Sequence, residues 1–200
     1  MENLPDSISP DGAEAELSKV PKPLLEKAAA GDSQAFAEIY DLYAAKIFGF
    51  ASHMAGNRED AEDITQNTFL LAFRNLKNLR EHEHFEQWLY KIARNEVYKK
   101  RRKWSFRLDS LDDEENKVIH ILKSTDPAGD PENKLITAEL GERIRTVFRK
   151  LPMQYRETLV LATLQGLSYE EISGILGRSI SSIKMDVHRA RQMISEKIKK

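Results

Sequence analysis

From Phe36 onward, apolar residues recur at three- and four-residue steps: Phe36, Ile39, Tyr40, Tyr43, Ile47, Phe50 and Met54. That spacing predicts one inward face of an amphipathic helix. Ahead of it, PLLEKAAAGD reads as a short helix that Gly31 can end, with Asp32 placed to cap the next one. Gly56-Asn57 breaks the pattern, and Asn57 can cap REDAEDITQNTFLLAFRNL. That segment is acidic and amide-rich early and carries apolar bulk late, at Phe69, Leu70, Leu71 and Phe73. After a loop, NLREHEH, a further helix is predicted from Phe85 to about Arg102, with Phe85, Trp88, Leu89, Ile92 and Ala93 pointing inward.

From Trp104 the periodicity dissolves into acidic residues and the turn-rich TDPAGDP. It resumes with a helix from about Pro131 to Lys150, then a break and restart at Leu151-Pro152. QYRETLVLATLQG ends at Gly166, and Ser168-Tyr-Glu-Glu171 is a capping box opening a short helix closed by Gly177. A last helix starts near Ser179 and runs to the end. No strand signal and no internal repeat stands out. The fold class expected is all-α: a tail over 1–22, a helical domain over 23–103, a flexible linker over 104–133 and a second small helical domain over 134–200.

Composition narrows the class. The 200 residues are 40% hydrophobic and 32% charged with no cysteine, which suits a soluble helical chain in a reducing compartment. The acidic N-terminus does not read as a signal peptide, and no apolar run reaches the length of a membrane span. A cytoplasmic protein without membrane insertion is expected. The net charge of −1 argues against nucleic acid until its distribution is considered. Basic residues gather in RNEVYKKRRKWSFR and along the last helix, so local fields are strongly positive. Glu81-His82-Glu83-His84 offers two histidines but no further ligand nearby, and no catalytic signature is present. Neither metal, cofactor nor enzymatic activity is expected.

A short helix, a turn at Gly177 and a longer basic helix describe a helix-turn-helix. In the longer helix Ile183, Val187, Ala190 and Ile194 share a face that must be buried. Ser181, Met185, His188 and Gln192 then face outward, flanked by Lys184 and Arg191 on one side and Arg189 on the other. Such a face suits a major groove.

The stretch LPMQYRETLVLATLQGLSYEEISGILGRSISSIKMDVHRAR resembles region 4 of bacterial RNA polymerase sigma factors, especially the extracytoplasmic-function (ECF) group. GDSQAFAEIYDLY, NREDAEDITQNTFLLAFRNL and FEQWLYKIARNE separately resemble region 2 of the same family. Two matches in the right order are far more specific than either alone. The resemblance implies a promoter-specificity factor that binds core RNA polymerase through its β′ coiled coil and β flap, and that an anti-sigma factor commonly holds. It places Asp60, Glu62, Asp63, Gln66 and Asn67 at the polymerase interface. It places Tyr90, Lys91, Arg94 and Asn95 at the −10 element, with Asn95 reading an extruded base and Arg80–His84 walling its pocket. Lys99, Lys100, Arg101, Arg102 and Lys103 would hold backbone phosphates. Ser181, Ser182, Lys184, Met185, His188, Arg189 and Arg191 would meet the −35 duplex.

The chain departs from that pattern at Asp186, where the family usually has a base, and at Met185, where a small polar residue is common. LVLATLQ also lacks the basic residue common before G-L-S-Y-E-E. Helical geometry places Asp186 on a flank, where it can pair with Arg189 at a three-residue step. On that reading Asp186→Arg tightens −35 binding. The acidic tail is a candidate intramolecular mask for a DNA-binding surface, which deletion of residues 2–20 would relieve. The rival readings are a conventional helix-turn-helix regulator that never joins polymerase, and a helical adaptor protein.

Overall fold

A computed structural model describes residues 20–79, 81–108 and 146–198, and all of their regular elements are helical. Residues 1–19 of the expected tail, residues 109–133 of the expected linker, and the predicted helix up to 145 lie outside the described residues. The first half holds α1 (Lys22–Ala29), α2 (Ser33–Ala55), α3 (Arg58–Asn75) and α4 (Phe85–Leu108), with single 3₁₀ turns at Leu76–Asn78 and His82–His84. The second holds a helical turn at 146–149, α5 (Met153–Leu159), a π-helical turn (Val160–Leu164), α6 (Tyr169–Leu176) and α7 (Ile180–Ile198).

The helix ends follow their capping chemistry. The Asp32 carboxylate accepts from the Gln34 and Ala35 amides at 2.9 and 3.1 Å, satisfying two of the donors that the start of a helix leaves free. Asn57 Oδ1 accepts from the Asp60 amide at 2.8 Å. Ser168 and Glu171 close the reciprocal capping box. Gly177 takes φ +67°, a left-handed conformation that a side chain resists, so α6 stops there and the chain turns into α7. At the other end of the first half, α4 continues to Leu108, past the boundary at 103 that the fading periodicity suggested.

Helices α2, α3 and α4 bury Tyr43, Ile47, Phe50, Ile64, Leu89 and Tyr90 between them. Burying each of the larger apolar side chains contributes roughly 1.5–3 kcal/mol. Edge-on ring contacts, Phe50 to Tyr90 at 5.7 Å and Tyr43 to Phe85 at 5.6 Å, fix how the helices face. One expected inward residue departs: Tyr40 is 44% exposed and leans its ring on Phe69.

The halves do not keep separate cores. Val160, Leu161, Leu167, Ile172, Ile175, Leu176 and Ile183 join the same buried cluster as the residues of α1–α4. Only Leu151, Leu159, Val187 and Ala190 form a small cluster of their own, beneath α7. The apolar side of α5 and its π turn is thus divided between the first half and α7. Where α6 crosses α4, a Cβ at Gly174 would overlap the Gln87 amide, so glycine permits the close approach.

Candidate nucleic-acid interface

Helix α7 presents its expected outward face. Ser181, Lys184, Met185, His188, Arg189, Arg191 and Gln192 are exposed, while Ile183, Val187 and Ala190 are buried. Met185, 52% exposed, is an apolar tip amid the polar face. The Lys184 ammonium lies 5.7 Å from the centre of the Tyr169 ring, and Arg189 donates to the Tyr155 hydroxyl at 3.4 Å. The Ser182 hydroxyl is turned inward instead: it accepts from Arg178 at 2.6 Å and is half-buried. Ser179 caps the start of α7 by accepting from the Ser182 amide.

Asp186 is where the local pairing rule fails. It is only 3% exposed, and its partners are Arg178 at 2.5 Å and Gln154 at 3.0 Å, not Arg189. A residue between the buried Ile183 and Ala190 lies on the seam, and there a base from the interhelix turn reaches it. Asp186 therefore ties α5, the turn and α7 together. The expected pairing with Arg189 is therefore not formed, and Asp186→Arg would set a second base against the half-buried Arg178.

Helix α4 carries its expected contacts on two adjacent stripes. Lys91, Asn95, Lys99 and Arg102 recur along one stripe and are all exposed. Lys99 also reaches Glu96 at 3.2 Å. Tyr90, Arg94, Tyr98 and Arg101 recur along the other, which faces α5 and the turn after it. Tyr90 is fully buried and donates its hydroxyl to Gln165 at 2.8 Å. Burial first, then the nearby Glu86 charge, pushes its pKa well above the usual tyrosine range. Tyr90 thus contributes to the core rather than to an accessible surface. Arg94 grips Glu157 with Nε at 3.0 Å and Nη2 at 3.3 Å, and Tyr98 donates to the same carboxylate at 2.9 Å. The guanidinium also lies 4.8 Å from the Tyr98 ring centre. Burial alone would lower the Arg94 pKa, but hydrogen bonds and charge from Glu157 outweigh it and raise the value. Arg101 extends this stripe to Met153 Sδ at 2.9 Å.

On α3, Glu62, Asp63, Gln66 and Asn67 are exposed on one face as expected. Asp60 is not: it is 8% exposed, bonds Asn57, and receives Lys100 at 2.7 Å. Lys100 also reaches Asp63 at 2.7 Å, and these two hydrogen bonds raise its pKa. Asp60 and Lys100 join α3 to α4, which removes Asp60 from a docking surface. Leu70 and Phe73 extend the exposed face by a further turn at 48% and 44% exposure. Leu70 follows Gln66 and Asn67 by four and three residues and Phe73 follows Leu70 by three, which was the available signal, but apolar type argued for burial. His82, Glu83 and His84 form a short turn beside α4; Arg80 lies outside the described residues.

This arrangement has counterparts. Residues 39–106 match Sigma-70 region 2, and residues 141–194 match Sigma-70, region 4. The ECF RNA polymerase sigma factor SigW of Bacillus subtilis is 32% identical over 172 residues, covering 84% of this chain and 91% of SigW. The ECF RNA polymerase sigma-E factor of Haemophilus influenzae is 30% identical, covering 88% of this chain and 93% of its own length. ECF RNA polymerase sigma factor SigE of Mycolicibacterium smegmatis is 32% identical over 82% of this chain; the match spans 61% of that longer relative. Among solved structures, the sigma factor RpoE of Bartonella quintana, in complex with the anti-sigma factor NepR, superposes with a TM-score of 0.65 at 26% identity. That match covers 82% of this chain and 96% of RpoE. CnrH, in complex with the cytosolic domain of CnrY, shares the fold with a TM-score of 0.64 at 22% identity over 88% of this chain and 95% of its own. With its two sigma regions in order and whole-length relatives at this identity, the chain belongs to the ECF group of the sigma-70 family.

Proposed function

We propose that this chain confers promoter choice on core RNA polymerase and has no chemistry of its own. Helix α7 binds the −35 element as duplex, with Lys184, Met185, His188, Arg189 and Arg191 toward the groove and Ser181 at its edge. Helix α4 binds the −10 element, with Lys91, Lys99 and Arg102 on phosphates and Asn95 reading one extruded base. Glu62, Asp63, Gln66 and Asn67, continued by Leu70 and Phe73, meet the polymerase: carboxylates for basic partner side chains, apolar tips for the centre of the contact. An anti-sigma protein is the expected regulator, and the working compartment is the cytoplasm. Among the described residues no helix is long and apolar enough to cross a membrane.

The observation that carries this reading is the pair of exposed basic faces on opposite halves of one chain: Lys91, Lys99 and Arg102 on α4, and Lys184, Arg189 and Arg191 on α7. A helical adaptor has no use for either. A regulator that works alone needs only the second. Gel shifts with promoter duplex, with and without core polymerase, discriminate among them. Tight binding only in the presence of core enzyme is expected; equal binding without it favours the lone regulator. Asn95→Ala should impair promoters according to the identity of one −10 base, and a uniform loss across promoters rejects the pocket.

A further inference from the structure

Met185 sets an apolar side chain at the centre of the outward face of α7. It stands two residues from the buried Ile183 and two from the buried Val187, hence about 160° around the helix from each. It is 52% exposed, and its neighbours one turn to either side, Ser181 and His188, are polar and exposed. The direction of that tip is held from beneath. The next residue, Asp186, is buried and tied to Arg178 of the interhelix turn at 2.5 Å and to Gln154 of α5 at 3.0 Å. With Ile183 and Val187 packed beside that tie, α7 is kept from rolling about its axis. The groups around Met185 are drawn off to the sides. Lys184 lies 5.7 Å from the Tyr169 ring centre, Arg189 reaches the Tyr155 hydroxyl at 3.4 Å, and the Ser182 hydroxyl turns inward onto Arg178.

A thioether has no N–H or O–H to donate and accepts only weakly. Met185 therefore cannot read the amines, ring nitrogens and carbonyls of base edges as its polar neighbours can. The apolar group that a base pair displays in the major groove is the thymine 5-methyl. An unbranched, polarisable side chain conforms readily to such a group.

We propose that Met185 is a specificity-determining residue that packs against the 5-methyl group of a thymine in the upstream duplex element. The element then carries a thymine at the step that Met185 faces. This rests on the reading of α7 as the −35 helix.

The test uses the holoenzyme that this chain forms with core polymerase. A promoter duplex library randomised at both elements is selected on it. The best duplex is resynthesised with each upstream thymine of either strand replaced in turn by uracil, which removes the methyl and keeps every hydrogen-bonding group. Competition gel shifts read the affinity. At one position uracil should weaken wild-type binding about fourfold, the gain expected from burying one methyl-sized group. Met185→Ser should lose that sensitivity. Met185→Leu should keep it, because the apolar tip and not the sulfur meets the methyl. Uracil without effect at every upstream position overturns the proposal. So does a sensitivity that survives in Met185→Ser, or a selected upstream element without thymine. Lys184→Ala and Arg191→Ala probe the underlying reading separately. If no upstream element is enriched, or if these two variants leave affinity for it untouched, α7 is not the −35 helix and that reading fails instead.

Discussion

Helices α4 and α7 are both rich in basic residues, with eight Lys and Arg in the first and four in the second, and both were expected to face nucleic acid, yet their environments differ. On α7 the outward residues stand in solvent and the buried face does the structural work. On α4 three of the nine expected contacts, Tyr90, Arg94 and Arg101, are engaged by the other half of the chain. A basic amphipathic helix thus reports affinity for anions in general. Whether the anion is a phosphate or the chain's own carboxylate depends on what packs beside it.

The comparison can be broken most severely at the base of α7. Asp186→Ala leaves Arg178 half-buried without its carboxylate and should cost about 3–5 kcal/mol. Urea denaturation followed by circular dichroism measures this, and a loss near zero would show that the tie does not hold the open face in position. Next comes the contrast between the two helices. Arg94→Ala strips the buried Glu157 of its main partner and should cost about 2 kcal/mol, less than a fully buried pair because Arg94 itself is partly exposed. Arg191→Ala on the open face should change stability by no more than about 0.5 kcal/mol. It should instead reduce the slope of log affinity for duplex against log salt by about 1. Equal stability effects for the two arginines would erase the distinction between covered and open.

A smaller effect is expected at Tyr90. Tyr90→Phe removes one hydrogen bond and leaves the Gln165 oxygen without that donor, for a loss of about 1 kcal/mol in the same denaturation assay. The mildest test is alkaline. The Tyr90 hydroxyl has a folded pKa raised by burial above its unfolded value near 10. Its protonated form is therefore favoured by folding, and the contribution is complete below about pH 10 and declines as pH rises beyond it. Wild-type thermal midpoints should fall more steeply above that pH than those of Tyr90→Phe. Parallel declines would assign the alkaline sensitivity to other groups.

Several features were legible locally. Asp32, Asn57 and the Ser168–Glu171 box announce helix starts because the donors they satisfy lie two or three residues away. The buried row Ile183, Val187 and Ala190 follows from helical spacing. Asp186 was misread because a three-residue step to Arg189 is the nearest sequence option, whereas Arg178 reaches it by way of the interhelix turn. Asp60 was misread because an acid early in a helix normally stays solvated, and only Lys100, forty residues on, neutralises it. The π turn at Val160–Leu164 was also silent. There the Gln165 amide donates back to the Val160 carbonyl, five residues earlier, so the residues after it rotate relative to an α-helical count.

The sequence by itself determined the helices, their caps, the inward face of α7 and the sigma-70 relationship, since each rests on short-range spacing or on a run of motif residues. Only the tertiary structure decided which charges are spent inside the molecule. Glu157 and Arg94 are 63 residues apart. At that separation no periodicity links an acid to its base; burial selects the partner, because a carboxylate removed from water must find donors wherever the packing brings them.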